Sequence, residues 1–131
     1  MHVAVPTNAL LTGVNVEGAS MRFEFRSQPR SVTAAYQPRS RIVESGSGRP
    51  VPLRGSAYLV IHFVPAATAD AQGEKVIPTY TGPHRLRGPG PVLETAKTSD
   101  FEADLAFAIG VERRLPFHVS HDGTTVTVSF G

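Results

Sequence analysis

The sequence predicts an all-β domain: an antiparallel β-sandwich or partly open barrel of about seven strands, with little helix. Three observations predict it. Short segments alternate apolar and polar residues with a period of two, most cleanly at residues 21–26, where Met21, Phe23 and Phe25 face one way and Arg22, Glu24 and Arg26 the other. Twelve Gly and eleven Pro punctuate the chain, which suits short strands joined by turns. Near the C-terminus, Asp122-Gly123 separates two alternating runs, and Asp-Gly is the strongest short hairpin signal because a type I′ turn needs φ > 0 at both central residues.

The elements follow in order. Residues 1–9 read as a flexible N-terminal arm, and residues 10–131 as a single β domain. Val14 and Val16 alternate with polar neighbours in residues 12–17, and Glu17-Gly18-Ala19-Ser20 reads as the turn into the 21–26 strand. Val32, Ala34 and Tyr36 give a third strand one apolar face. Ser45-Gly46-Ser47-Gly48 is a loop. The run YLVIHFV at residues 58–64 is short, branched and aromatic, which fits a central strand covered on both faces and ended by Pro65. Residues 66–90, with Pro78, Pro83 and Pro89, read as a long loop with little regular structure. Residues 92–98 form a further strand.

Residues 101–111 carry two patterns. Phe101, Ala103, Leu105, Phe107 and Ile109 alternate as in a strand, while Ser99-x-x-Glu102 matches a helix capping box and Phe101, Leu105 and Ile109 match a helical face. The period count favours the strand. Residues 117–121 and 124–130 flank the Asp-Gly turn. The expected core is Phe23, Phe25, Leu59, Ile61, Phe63, Leu105, Phe107, Val126 and Val128.

Composition bounds the chemistry. At 40% hydrophobic and 18% charged residues, the 131-residue chain has the balance of a folded domain, not of a disordered one. It has no Cys, which excludes a thiolate nucleophile and Cys-ligated metal centres. No stretch approaches the roughly 18 apolar residues of a membrane span, so the chain is not expected to cross a bilayer. The opening MHVAVPTNALLTG has neither the basic nor the apolar region of a signal peptide, which leaves open a cytosolic chain or one whose leader precedes this numbering. The net charge is +2, unevenly spread: seven Arg through Arg54 face only Glu17, Glu24 and Glu44. A basic first half is a hint of an anionic partner.

The candidate chemistry is sparse. His118-x-x-His121-Asp122 has metal-ligating residue types, but residues three apart on a strand point to opposite faces. His62 lies within an apolar strand and His84 within the Pro-rich loop. Asp100, Glu102 and Asp104 would share one face of a strand, which a solvated surface explains more simply than a calcium or acid–base site. No GxSxG, HExxH or P-loop motif is present. Arg22, Arg26, Arg30, Arg39 and Arg41 flank Tyr36. Their functional reading is a surface for phosphates, carboxylates or acidic glycans, because Arg offers planar paired donors; their simpler reading is a solvated sheet face. Nucleic acid is not the expected partner, because such a site needs more Lys, Arg and exposed aromatics.

Several segments together resemble the AMIN-like domain of actinobacterial exported proteins and lipoproteins. They are MRFEF, VPLRGSAYLVIHFVPA, PTYTGPHRL, DFEADLAFAIGVERRLPFHV and the terminal VTVSF, in matching order over about residues 10–130. The most specific are Val51-Pro52-Leu53-Arg54-Gly55, Tyr80-Thr81-Gly82-Pro83 with Arg85, and Arg113-Arg114-Leu115-Pro116-Phe117. The sequence departs from the pattern at Ala19-Ser20-Met21, where the family has Asp-Arg, and at His121-Asp122-Gly123, where it is rich in proline. The resemblance implies a β-sandwich, a secreted or cell-envelope location and, from the related AMIN domains that target peptidoglycan, a non-enzymatic domain that binds cell-wall glycan or an envelope protein. It carries over no catalytic residue. The candidate ligand-binding set is therefore Arg22, Arg26, Arg30, Tyr36, Arg39 and Arg41, with Tyr80 and Arg85 as the next surface. No metal or cofactor is expected. The alternatives are a cytosolic binder of an anionic ligand or nucleic acid through the Arg-rich half, and a small hydrolase using His118, His121 or Asp122.

Overall fold

The segments whose side chains alternate fold as strands, with one turn hidden inside an alternating run. The computed structural model describes residues 8–131. Twelve strands lie among them: β1 Ala9–Glu17, β2 Ser20–Phe25, β3 Ser31–Gln37, β4 Ala57–Val64, β5 Ala66–Ala67, β6 Ala69–Gln72, β7 Lys75–Pro78, β8 Arg85–Arg87, β9 Val92–Phe101, β10 Asp104–Val111, β11 Phe117–Asp122 and β12 Thr125–Phe130. One 3-10 turn, Arg39–Arg41, follows β3. The expected N-terminal arm lies mostly outside the described residues, but its last residue, Ala9, is buried and opens β1.

The strands form two five-stranded sheets packed face to face. The front sheet has the order β11-β12-β2-β1-β5, the back sheet β3-β4-β10-β9-β8, and β6 and β7 make a separate ribbon. Pairing is antiparallel except at the short β1–β5 contact, where Ala9 and Leu10 run parallel to Ala66 and Ala67. The result is a sandwich and not a closed barrel.

Between the sheets lies the main core. Met21, Phe23, Phe25, Val126 and Val128 of the front sheet meet Leu59, Ile61, Phe63, Leu105, Phe107 and Ile109 of the back sheet. The Phe63 ring sits 5.0 Å from Phe23 and 4.9 Å from Phe25, in tilted packing. All nine residues expected in the core are buried.

Three details depart from the sequence reading. Residues 101–111 are not one strand: Phe101 ends β9, Asp104 begins β10, and Glu102 and Ala103 form the turn with φ of 51° and 63°. Alternation continues through that turn, which is why the pattern hides it. Ser99 caps no helix; its hydroxyl donates to the Asp104 carbonyl at 2.8 Å. At the C-terminal hairpin Asp122 pairs with Thr125, so the central residues are Gly123 and Thr124, and only Gly123 takes a positive φ, 60°. The expected loop at 66–90 contains β5 to β8, strands of two to four residues, too short to show a period in sequence.

The outer face of the back sheet carries a second, smaller core. Residues 52–56 cross it as a strap, and Ile42 and Leu53 pack there on Tyr58, Ala96 and Ala108. Gly110 lies under the crossing, and a Cβ there would collide with the Arg54 carbonyl oxygen.

Two stability changes follow. Phe63→Ala removes the ring shared by both sheets and should lower unfolding free energy by about 3–5 kcal/mol in urea denaturation. Gly110→Ala should cost about 1–3 kcal/mol by lifting the strap, read in the same experiment.

Candidate functional site

The strap crosses the back sheet along one row of paired residues. Gln37 pairs with Tyr58, Tyr58 with Gly110, Gly110 with Glu94, and Glu94 with Arg87, so the row spans all five strands. Directly paired residues share a sheet face. The strap is fixed at several points. The Arg54 amide donates to Glu94 Oε1 at 3.0 Å. Arg85 Nη1 donates to the Pro52 carbonyl at 2.7 Å and lies 3.2 Å from Glu94 Oε1. The Ser56 amide donates to the Val111 carbonyl at 2.9 Å, and the Tyr58 hydroxyl to the Gly55 carbonyl at 2.7 Å.

Glu94 is the buried charge of this row, with its side chain 4% exposed. Burial pushes its carboxyl up. The Arg54 amide and the Arg85 and Arg87 guanidiniums outweigh that and hold it below the usual carboxylate range.

Two concavities open beside the strap. One, of about 470 Å³, lies between the end of β3, the 3-10 turn and the chain after β10; Tyr36, Arg39, Tyr58 and Arg114 are among its walls. The other, shallower and about 420 Å³, is walled by Arg39, Arg54, Arg85, Arg87 and Glu94. Arg39 lines both, so the two adjoin, and together they are the groove beside the strap. In the first, the Arg39 guanidinium lies 4.9 Å from the Tyr58 ring centroid and the Arg114 guanidinium 5.1 Å from that of Tyr36. The Tyr36 hydroxyl donates to the Leu115 carbonyl at 2.7 Å and accepts from the Leu115 amide at 3.1 Å. Burial raises the Tyr36 phenol above its ordinary value, against the smaller lowering pulls of the Leu115 bond and the Arg114 charge.

The residues expected from sequence to form one basic face are divided. That face needed β2 beside β3, but β3 pairs with β4 in the opposite sheet. Arg22 and Arg26 lie on the β2 side, exposed, and Arg22 pairs with Glu17 at 3.6 Å. Arg30 is exposed where the chain passes between sheets. Tyr36 and Arg39 meet in the groove; Arg41 borders a separate small hollow beside His62. Tyr80 is buried, with its hydroxyl donating to the Pro83 carbonyl. Arg85 ties down the strap.

The groove also uses Arg54, Tyr58, Arg87 and Arg114, which the sequence did not single out as ligand-binding. Arg54 and Arg114 did stand in two of the segments that carry the family resemblance.

The histidine and acidic groups are dispersed. His118 and His121 are exposed on β11. Asp100 takes hydrogen bonds from Thr68 and Lys97, while Asp104 lies 2.9 Å from His62 Nδ1. Among the described residues no three His, Asp or Glu side chains are placed to share a metal ion.

Two face-to-face sheets with an arginine-lined groove on the outer face of one define a small β-sandwich domain. The family model of the AMIN-like domain matches residues 20–128, and the chain belongs to that family. Membership points to a non-enzymatic domain of the cell envelope. No curated protein and no solved structure matches the chain.

The Glu94 network sets a pH dependence. A carboxyl lowered by folding stabilises the native state above its ordinary value of 4.5, and that contribution fades as pH falls through the folded value. Thermal unfolding of the wild type should therefore lose stability on acidification below about pH 4.5. Glu94→Gln should be less stable at neutral pH and show a flatter acid limb.

Proposed function

We propose that this domain binds cell-wall glycan, with peptidoglycan as the polymer, through the groove around the strap, and that it works outside the cytoplasm, secreted or at the envelope. One observation carries the reading: five guanidiniums, of Arg39, Arg54, Arg85, Arg87 and Arg114, wall the groove against one carboxylate, Glu94. An open, positively charged groove of this kind suits an extended anionic polymer better than a small enclosed substrate. Family membership supports the envelope setting. An envelope protein with an acidic face would use the same groove.

Groove-bound polymer should be released by salt, because exposed charges are screened beyond about 10 Å at about 0.1 M. Purified peptidoglycan sacculi should retain the wild type at low salt and release it as salt rises. Arg22→Ala/Arg26→Ala, on the other sheet, should be retained like the wild type. Failure of the wild type to be retained at low salt would overturn the reading, as would equal retention at all salt concentrations.

A further inference from the structure

We infer that the larger concavity is a clamp for the oxyanion of an acidic saccharide, held by Arg39 and Arg114. This rests on the glycan reading above and specifies which chemical group the groove recognises.

The argument begins with how the two arginines are held. Arg39 opens the 3-10 turn, whose end is anchored by buried Ile42, and the Ile42 amide donates to the Arg39 carbonyl at 3.1 Å. Arg114 precedes Leu115, which is buried and bonded at both its amide and its carbonyl to the Tyr36 hydroxyl. Both backbones are therefore fixed, and each guanidinium rests on a tyrosine ring. A guanidinium that meets a ring face keeps N–H donors along its edge.

Those edges lack an acidic partner. Arg22, Arg85, Arg87 and Arg113 each lie within 4.0 Å of a carboxylate. Among the described residues the other seven arginines do not, Arg39 and Arg114 among them, and what sets these two apart is that they share a concavity none of whose nine lining residues is acidic. Arg39 makes one long bond, from Nη2 to the Gly55 carbonyl at 3.4 Å. Two pre-oriented guanidiniums in one concavity, without a carboxylate, are the arrangement that paired N–H donors need to grip a planar or tetrahedral oxyanion.

Size and aromatic geometry narrow the ligand. About 470 Å³ falls in the range of small-molecule sites and accommodates a sugar residue with a substituent. A neutral sugar would seek a bare aromatic face, but an arginine covers a face of Tyr36 and of Tyr58. Gln37 and Ser56 line the same wall, and their side chains make no hydrogen bond among the described residues, so they are available to sugar hydroxyl or acetamido groups.

The oxyanion can be a carboxylate or a phosphate, and the test separates them. Titrations of the full chain would follow the arginine side-chain N–H resonances with N-acetylmuramic acid, N-acetylglucosamine 6-phosphate and neutral N-acetylglucosamine. At least one acidic sugar should bind and shift the Arg39 and Arg114 signals, while the neutral sugar should bind at least tenfold more weakly. The acidic sugar that binds better identifies the oxyanion. Arg39→Ala and Arg114→Ala should each weaken binding about tenfold, and Arg39→Lys/Arg114→Lys, which keeps the charge but loses the stacked fork, should fall between wild type and the double alanine variant.

Binding of the neutral sugar as tight as that of the acids, no binding of any of the three, or undiminished affinity in the double alanine variant would overturn the clamp. The sacculus assay keeps the two readings apart. Retention on sacculi that survives Arg39→Ala/Arg114→Ala removes the clamp and leaves wall binding standing. Binding of an acidic sugar by a wild type that sacculi do not retain removes wall binding and leaves the clamp.

Discussion

Gly110 has no side chain, and the Arg54 carbonyl lies close above it where a Cβ would otherwise be. This close approach lets the strap settle flat on the back sheet. The Arg54 amide is then within reach of Glu94, and the arginines of β8 close the pair from the other side. Breaking a buried carboxylate's set of donors costs more than breaking an exposed pair, because it leaves a charge or an amide unsatisfied. The strap helps to wall both concavities: Gly55 and Ser56 line one, and Pro52, Leu53 and Arg54 the other.

The three most specific segments of the family resemblance converge on this place. Val51-Pro52-Leu53-Arg54-Gly55 is the strap with the residue before it. In Tyr80-Thr81-Gly82-Pro83, the Tyr80 hydroxyl reaches the Pro83 carbonyl, and a Cβ on Gly82 would strike the Tyr80 ring. That compact turn leads into Arg85, which holds Pro52. Arg113-Arg114-Leu115-Pro116-Phe117 supplies the wall of the larger concavity, with Leu115 fastened to Tyr36 and the Phe117 ring packed edge-on against Tyr36 at 5.7 Å. Segments far apart in sequence thus build one structural feature.

The charges divide into two kinds. Arg85 and Arg87 are committed to Glu94, and Glu94 in turn is held ionised with both oxygens occupied, which is poor preparation for general acid–base work. Arg39 and Arg114 rest on aromatic rings, and among the described residues neither lies within 4.0 Å of a carboxylate.

Much of the fold was legible in the sequence, because a half-buried strand must alternate its side chains and a sandwich core must be assembled from the apolar sides of those alternations. Met21, Phe23 and Phe25 on one strand, and Leu59, Ile61 and Phe63 on another, announce their buried faces directly. The turn at Glu102 and Ala103 was not legible, because neither residue is one that usually adopts positive φ and the alternation runs on through it. The site was legible only in part. Tyr36 and Arg39, singled out from the sequence, line the groove, but the sequence joined them to Arg22 and Arg26, since neighbouring strands in a chain commonly pair. Strand periodicity fixes which way a side chain points relative to its own strand and says nothing about which sheet that strand joins. Only the tertiary structure sends β3 to the back sheet, lays residues 52–56 over Gly110, and brings Arg114 to within one groove of Arg39, seventy-five positions earlier in the chain.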